Sequence, residues 1–441
     1  MIDRYLAERR QLDRVHAPKY DPRQKLINAP DKGTFTARQL ERDPSLALSD
    51  LSKTKATFTR TDVLRTLAKR INDPKRLSGL ADRALASREA VCLSSDRVAH
   101  NTTRDYQDAE AKLIQAARDM TQTSGFVVRQ DHIADATQAQ NTQMQCASGG
   151  KMSIEQKRAL RHVLGDQQMA SVVGLAGAGK STMLAAASDA WQRQGVKVHG
   201  AALAGKAADG LQTASGIQSR TLASLELAWE NRRTPIAKGD VLVVDEAGMI
   251  GTRQMARVAD KIQDIGAKLV LVGDPEQLQP IEAGRPFRDL VDRHGGSELT
   301  DIYRQRRDWQ RKASRDLAEG RTAKALDSYC KHHSVARADT RAEAIEAIAE
   351  TYAMDSTADP DTVRLAFAHR RKDVHALNVA IWGALRDDPT QDVLLETATG
   401  PRAFWTGRQI GPWPKRQRAG RQEWHAGPCQ SSSRREGDGR A

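Results

Sequence analysis

The middle of this 441-residue chain predicts an α/β fold built on a parallel sheet, and three observations predict it. Between Met152 and Ser297, short apolar runs (Ala170–Val173, Lys197–His199, Val241–Val244, Lys268–Val272) alternate with helical patterns, as in a sheet covered on both faces. The first run leads into a glycine-rich loop, Gly174-Leu-Ala-Gly-Ala-Gly-Lys-Ser181. Two later runs end in polar groups, Asp245-Glu246 and Asp274-Pro-Glu-Gln277, at the strand ends where open α/β sheets bind ligands.

The flanking elements follow in order. Residues 1–52 are polar, carry four prolines and lack periodicity, which predicts a linker or disordered lead-in. Residues 53–122 read as a small winged-helix-like helical module. It starts with a helix capped by Thr61 and running to about Ile71, before Pro74, and a second helix covers about Arg76–Ser87. A short strand at Ala90–Leu93 and a third helix from the Asn101–Thr103 cap to about Met120 complete it. A plain helical spacer fits the same pattern. Residues 123–150, rich in Gln, Thr, Ser and Gly, predict a second linker, and residues 151–302 form the α/β domain. Within 303–403 the chain reads mainly as helix from 310 to 355, then as a strand at Thr362–Phe367 and a helix over about Asp373–Leu385, the start of a second α/β domain.

Net charge is +13, but its distribution matters more than its size. Residues 1–150 carry +6, residues 151–404 only +2 and the last 37 residues +5. Charge therefore agrees with a nucleic-acid partner without identifying the surface. Four scattered cysteines (Cys92, Cys146, Cys330, Cys429) make neither a zinc knuckle nor a CxxC pair and suit a reducing compartment. With no apolar run near membrane-spanning length and no apolar leader, the expected location is cytoplasmic, without membrane insertion. His332-His333 and His369 with His375 lack supporting ligands for a metal.

The glycine-rich loop matches GxxxxGK[ST] in a strand-loop-helix context. Gly174, Gly177, Ala178 and Gly179 let backbone N–H groups face phosphates, with Lys180, Ser181 and Thr182 opening a helix whose dipole favours anions. Lys180 is expected to bridge the β- and γ-phosphates and the Ser181 hydroxyl to ligate Mg²⁺. Asp245 would hold the ion through water, and Glu246 would orient and deprotonate an attacking water. That second carboxylate points to hydrolysis, since a small-molecule kinase needs no base for water. Gln277 is placed to sense the γ-phosphate.

The order GLAGAGKS, VVDEAGM, VGDPEQLQPI and Ile302-Tyr-Arg-Gln305 resembles RecD-like superfamily one DNA helicases, and within them the helicase half of TraA-type conjugative relaxases of the MobA/MobL group. The resemblance spans about residues 53–403. It implies an α/β P-loop NTPase with a RecA-like parallel sheet, followed by a truncated second RecA-like domain. It also implies ATP with Mg²⁺ as cofactors, single-stranded DNA as partner with 5′ to 3′ movement, and other conjugative transfer proteins as further partners. By the same likeness Gln156 reads adenine, Arg304 reaches the γ-phosphate across the cleft between two RecA-like domains, and Lys206, Arg220 and Thr221 contact single-stranded DNA.

Two departures qualify that likeness. The family's N-terminal DNA-nicking domain uses clustered histidines and a tyrosine, whereas no HxH pair occurs here and Tyr5 and Tyr20 stand in polar sequence, so relaxase activity is not expected. After about Ala403 the pattern gives way to residues 404–441, a Trp/Arg/Gly/Pro-rich stretch with one Ile and no Leu or Val beyond Trp405, which cannot build a core. The sequence reads as an ATP-driven DNA helicase fragment with weak or no unwinding; the rival reading is a non-catalytic nucleic-acid-binding remnant with the P-loop domain as scaffold. The tail is expected to be a frameshifted read-through. Translating the gene beyond codon 403 in the other two frames should recover helicase motifs, and finding none there overturns the frameshift.

Overall fold

The computed structural model describes residues 35–94, 98–175, 177–233, 235–301, 305, 307–360, 362, 364–385, 392–397 and 400–405. It divides after His332 into two units, each taken by itself.

In the first unit, six strands form one wholly parallel sheet: β3 (Met169–Gly174), β4 (Val198–Ala202), β5 (Gln218–Thr221), β6 (Val241–Val244), β7 (Lys268–Gly273) and β8 (Ser297–Leu299). Their order is β5-β4-β6-β7-β3-β8. Strand residues alternate between two cores, as a period of two requires. Val241, Val243, Val270 and Val272 face one side, while Leu242, Val244, Leu269 and Leu271 face the other. The first side is covered by α6 (Gln130–Ser148), α7 (Ile154–Val163), α8 (Lys180–Arg193) and α9 (Gly205–Ser215). The second is covered by α5 (Arg104–Gln122), α10 (Leu222–Glu230), α11 (Thr252–Ile265) and α12 (Pro286–His294). Each fully buried Val or Leu in these layers contributes about 1.5–3 kcal/mol, which makes the double-sided sheet the main source of stability.

Four expectations are corrected by the packing. Within the expected lead-in, α1 (Ala37–Arg42) and α2 (Leu46–Leu51) form and bury Leu40, Ala47, Leu48 and Leu51 in the core of the helical module, because these few apolar residues recur at helical spacing. Residues 1–34 lie outside the described residues. The next helix, α3 (Arg60–Ala68), is capped by Thr59 rather than Thr61, because Asp62 completes a reciprocal capping box with Thr59. Residues 123–150 are not a linker: α6 seats Ile133 and Ala136, with the preceding Val128, in the sheet's first core, and Asn141 accepts the Met152 N–H at 2.9 Å. Finally α5 leaves the small module and lays Leu113, Ala116, Ala117 and Met120 against α11 in the sheet's second core. The module itself comprises α1 to α3, α4 (Pro74–Leu85) and the antiparallel pair β1 (Ala90–Ser94) and β2 (His100–Thr103).

One arginine ties this module to the sheet domain. Arg253, near the start of α11, donates to the Ser52 carbonyl at 2.7 Å, the Ser52 hydroxyl at 3.0 Å and Asp105 at 2.7 Å. Its guanidinium lies 5.3 Å from the Tyr106 ring centroid. The Tyr106 and Thr252 hydroxyls are 2.9 Å apart, and the Ala283 N–H donates to the Lys53 carbonyl at 2.9 Å.

The helices α13 (Asp308–Ala318) and α14 (Thr322–Lys331) also belong to the first unit, so the division falls later than the expected boundary at 302. The second unit contains α15 (Arg341–Ala358), α16 (Arg371–Ala384) and the antiparallel strands β9 (Asp392–Thr397) and β10 (Gly400–Trp405). Arg341 on α15 donates to Asp373 on α16 at 2.5 Å. The strand expected at Thr362–Phe367 is not formed among the described residues: 364–368 have no regular structure and no ladder partner, and Leu365 and Phe367 are 66% and 84% exposed. A strand needs a neighbour to take its backbone hydrogen bonds, and β-propensity alone does not supply one. No helix among the described residues is long and apolar enough to cross a membrane.

At the sheet's N-terminal edge Lys268 is fully buried and donates to the carbonyls of Gly165 at 2.7 Å and Gln167 at 2.5 Å. Burial lowers its pKa from 10.5 to about 8, against the attraction of Asp166. The unfolded chain therefore binds this proton more tightly than the folded one. The burial penalty is complete below pH 8 and disappears as pH rises towards 10.5, so stability rises across that window. Denaturant unfolding at pH 7.5 and pH 10 should show this rise in the native protein and a smaller one in Lys268→Met; equal pH dependence of the two would refute the assignment.

Candidate active site

Because every strand of the large sheet is parallel, all C-terminal ends share one edge, and the polar motifs meet there. The phosphate loop leaves β3, the carboxylate pair leaves β6, and Asp274 with Gln277 leaves β7. Strand order places β7 directly between β3 and β6. Asp274 and Gln277 are thus carried between the loop and the carboxylates, which the sequence spacing alone does not reveal.

The loop is shaped by its glycines. Gly177 and Gly179 have φ of 82° and 79°, a left-handed conformation that costs glycine little. A Cβ on Gly174 would lie 2.8 Å from Cγ of Lys180, whose stem packs across it while its ammonium donates to the Gly174 carbonyl at 2.7 Å. Ala178 is buried and donates its N–H to Leu175 at 3.1 Å. Gly179 caps α8 without a side-chain acceptor, so the N–H groups of Lys180, Ser181 and Thr182 open the helix with no acceptor among the described residues. Such a ring of donors at the positive end of a fourteen-residue helix suits a polyphosphate. Ala176 lies outside the described residues.

Gln156 is buried at the N-terminus of α7, not on a helix surface. Its side-chain carbonyl accepts the Ser153 N–H at 2.9 Å in a capping box, and its amide donates to the Gly179 carbonyl at 3.3 Å. The residue holds the cap and the phosphate loop together; reading a base would require its amide to exchange the Gly179 contact. Its neighbour Glu155 was not expected to matter. It accepts from the Thr300 N–H at 2.8 Å, the Thr300 hydroxyl at 2.7 Å and the Asp301 N–H at 3.1 Å. Those bonds anchor the chain just before Ile302-Tyr-Arg304, and Arg304 itself lies outside the described residues. Apart from the Ser-x-x-Gln capping signature, the sequence carries no sign of this anchor.

At the end of β6, Asp245 accepts the Glu246 N–H through one oxygen at 2.9 Å. Burial pushes its carboxyl pKa up, opposed by that hydrogen bond and by the nearby Lys180 charge. A partly buried carboxylate and the Ser181 hydroxyl, together with phosphate oxygens, would make the hard oxygen donor set that Mg²⁺ takes. Glu246 is left-handed, with φ 53° and ψ 37°, a conformation that costs a non-glycine residue about 1 kcal/mol or more. Two close backbone approaches follow it in the same turn. A Cβ on Gly248 would lie 2.5 Å from the Asp274 carbonyl oxygen, and one on Gly273 would lie 2.8 Å from the Gly248 nitrogen. The two loops therefore press backbone to backbone. Asp274 is buried, accepts the Glu276 N–H at 3.0 Å and accepts from the Gln277 amide at 3.1 Å, which ties that amide back onto its own loop.

The three residues expected to touch DNA lie at the same edge, beyond β4 and β5. Lys206, at the second position of α9, and Arg220, on β5, are exposed with no acidic partner among the described residues. Thr221 is half-buried, and its hydroxyl accepts the Ser224 N–H at 3.2 Å as the cap of α10, so part of its capacity is structural.

With this geometry in place, residues 151–340 match the family described as AAA domain. A conjugal transfer protein TraA from Agrobacterium fabrum is 40% identical over 387 residues, covering 86% of this chain and 34% of that protein. A conjugal transfer protein TraA from Rhizobium radiobacter is 39% identical over 384 residues, covering 85% and 34%. The ATP-dependent RecD2 DNA helicase of Deinococcus radiodurans is 32% identical over 158 residues, 35% of this chain and 22% of that one. The chain spans about a third of the length of the TraA proteins it matches. By sequence it is a relative of the TraA-type conjugal transfer proteins, similar to them along a portion that also resembles RecD-like helicases.

Proposed function

We propose that this chain is the ATP-hydrolysing motor portion of a plasmid conjugal transfer protein, working on single-stranded DNA in the cytoplasm beside other transfer proteins. The observation that carries the reading is the convergence of three loops at one sheet edge, with an uncapped helix N-terminus whose Lys180 charge acts on the Asp245 carboxylate. ATP phosphates would sit on the N–H groups of Lys180, Ser181 and Thr182, with the Lys180 ammonium turning from the Gly174 carbonyl to the β- and γ-phosphates. Ser181 and Asp245 would hold Mg²⁺, which supplies charge neutralisation when bound. Glu246 takes a proton from water as its oxygen bonds the γ-phosphorus; the bond to the bridging oxygen breaks and ADP leaves. Gln277 senses the γ-phosphate, Arg304 stabilises charge on the phosphoryl group, and Gln156 positions the loop beside adenine. Lys206, Arg220 and Thr221 would bind DNA phosphates without sequence preference.

Unwinding needs two lobes that close on ATP. The described residues of the second unit hold helices and an antiparallel hairpin but no parallel sheet, so this chain alone is expected to hydrolyse ATP with little strand separation. ATPase activity should require Mg²⁺, rise with single-stranded DNA and fall about a hundredfold or more in Lys180→Ala. Salt-sensitive DNA binding without turnover would favour a non-catalytic remnant, and robust unwinding would contradict the expected division of labour.

Gly248→Ala tests the loop contact. The added methyl meets the Asp274 carbonyl, so about 1–3 kcal/mol of stability and at least tenfold in kcat should be lost while the fold persists by circular dichroism. Gly210→Ala, on α9 with nothing within 4 Å of the new Cβ, should retain full activity. Equal activity of the two variants would remove the contact from the mechanism.

A further inference from the structure

Starting at Arg220, one of the three expected DNA contacts, the outer flank of α10 carries a cavity of about 480 Å³, within the range of about 300–1,000 Å³ typical of ligand sites. Leu227, Ala228 and Pro235 give it an apolar lining, Asn231 a polar one, and Arg220 and Arg233 two cations. Its construction is local. The inward residues Leu222 and Leu225 bury in the sheet domain, which turns Ser224, Leu227, Ala228 and Asn231, spaced at helical intervals, to the outside. Leu227 is left 58% exposed. The chain then reverses at Arg232, whose φ of 56° bends it back so that the Arg233 N–H donates to the Ala228 carbonyl at 2.8 Å. That turn brings Arg233 and Pro235 over the helix flank.

The charges are unpaired on one side and satisfied on the other. Arg220 and Arg233 have no carboxylate partner among the described residues. The nearby Glu226 is already engaged by Arg257 at 2.8 Å and Gln254 at 2.9 Å on α11, so it does not neutralise them. Two guanidinium groups around an apolar floor, on the flank of α10 beside edge strand β5, fit a phosphate-linked chain with a flat apolar base. Leu227 and Pro235 can pack against the face of a base, and guanidinium planes both stack on bases and pair with phosphates.

We infer that the Arg220–Leu227–Arg233 cavity is a nucleotide subsite for single-stranded DNA, holding one base against Leu227 and Pro235 with its phosphate on Arg233. It extends the path from Lys206 and Thr221 past edge strand β5, and it rests on the reading of this chain as a DNA-dependent ATPase. Arg233 and Leu227 lie outside the catalytic loops, so their roles separate from hydrolysis.

Anisotropy of a labelled oligo-dT with the full chain, measured across a salt series, tests it. Arg233→Ala should weaken binding roughly tenfold and reduce the slope of log affinity against log salt by about 0.7, the loss of one phosphate contact on a single strand. Leu227→Asp should weaken binding while its α10 flank remains solvent-facing, and both variants should keep the DNA-free ATPase rate. Lys261→Ala, which changes charge on α11 away from the cavity, serves as the control and should bind as the native chain does. Native affinity and salt slope in both cavity variants would overturn the subsite while leaving the motor reading intact. Failure of the native chain to bind oligo-dT, with ATPase present, would overturn both the subsite and the DNA-dependent reading.

Discussion

The backbone contact between Gly248 and the Gly273–Asp274 strand end is the constraint on which the candidate site depends. It works only because neither glycine has a side chain, and it brings two strand ends closer than any Cβ would permit. Through it the left-handed turn at Glu246 is held in place, Asp245 stays bonded to its neighbour's N–H, and Asp274 keeps its own loop closed on Gln277. Strain at Glu246 of about 1 kcal/mol is small beside the burial of the apolar residues of β6 and β7 behind it, so the sheet can impose it.

The phosphate loop is supported differently, by side chains and by strand ends on three sides. Gln156 grips it at Gly179, Lys180 closes on Gly174, and the Leu175 N–H donates to the Leu299 carbonyl at 3.2 Å. Glu155 then extends the support to Thr300 and Asp301. Helix α7 thus joins the nucleotide loop to the chain that leads toward Arg304, which gives a short physical link between nucleotide binding and the polypeptide beyond β8. On the far side of the domain, Arg253 makes the helical module a fixed part of the same body, so no flexible linker separates them.

What the sequence disclosed depended on how much a segment was buried. β3, β6 and β7 are legible because strands covered on both faces are mostly apolar, with Ser171 and Lys268 the buried exceptions, and the residues at their ends are legible because chemistry demands particular types there. β5, with Gln218-Ser-Arg-Thr221, is an edge strand whose ladder is satisfied on one side, and its polar sequence gave no signal. α6 is hidden by its glutamines and threonines, since Ile133 and Ala136 alone are buried among the side chains described in that helix. The roles of Glu155, Arg253 and Gly248 lie in contacts made over long sequence distances, and no local pattern encodes such proximity. In the second unit the opposite failure occurred: the β-branched and aromatic run to Phe367 looked like a strand but finds no ladder among the described residues.

Strand order also sets a schedule for the growing chain. β3, the first strand of the large sheet to be made, pairs only with β7 and β8, the last two, so Met169 waits for Leu269 about a hundred residues later. Until then the apolar run before the phosphate loop has an unpaired edge on both sides, and the loop has no floor. A ribosome working at about 5–20 residues per second leaves that edge open for several seconds or more, in a topology whose long-range closure is slow. The phosphate loop therefore gains the strands that flank its root only after about a hundred further residues have been made, so the support beneath it is among the later parts of the sheet domain to form.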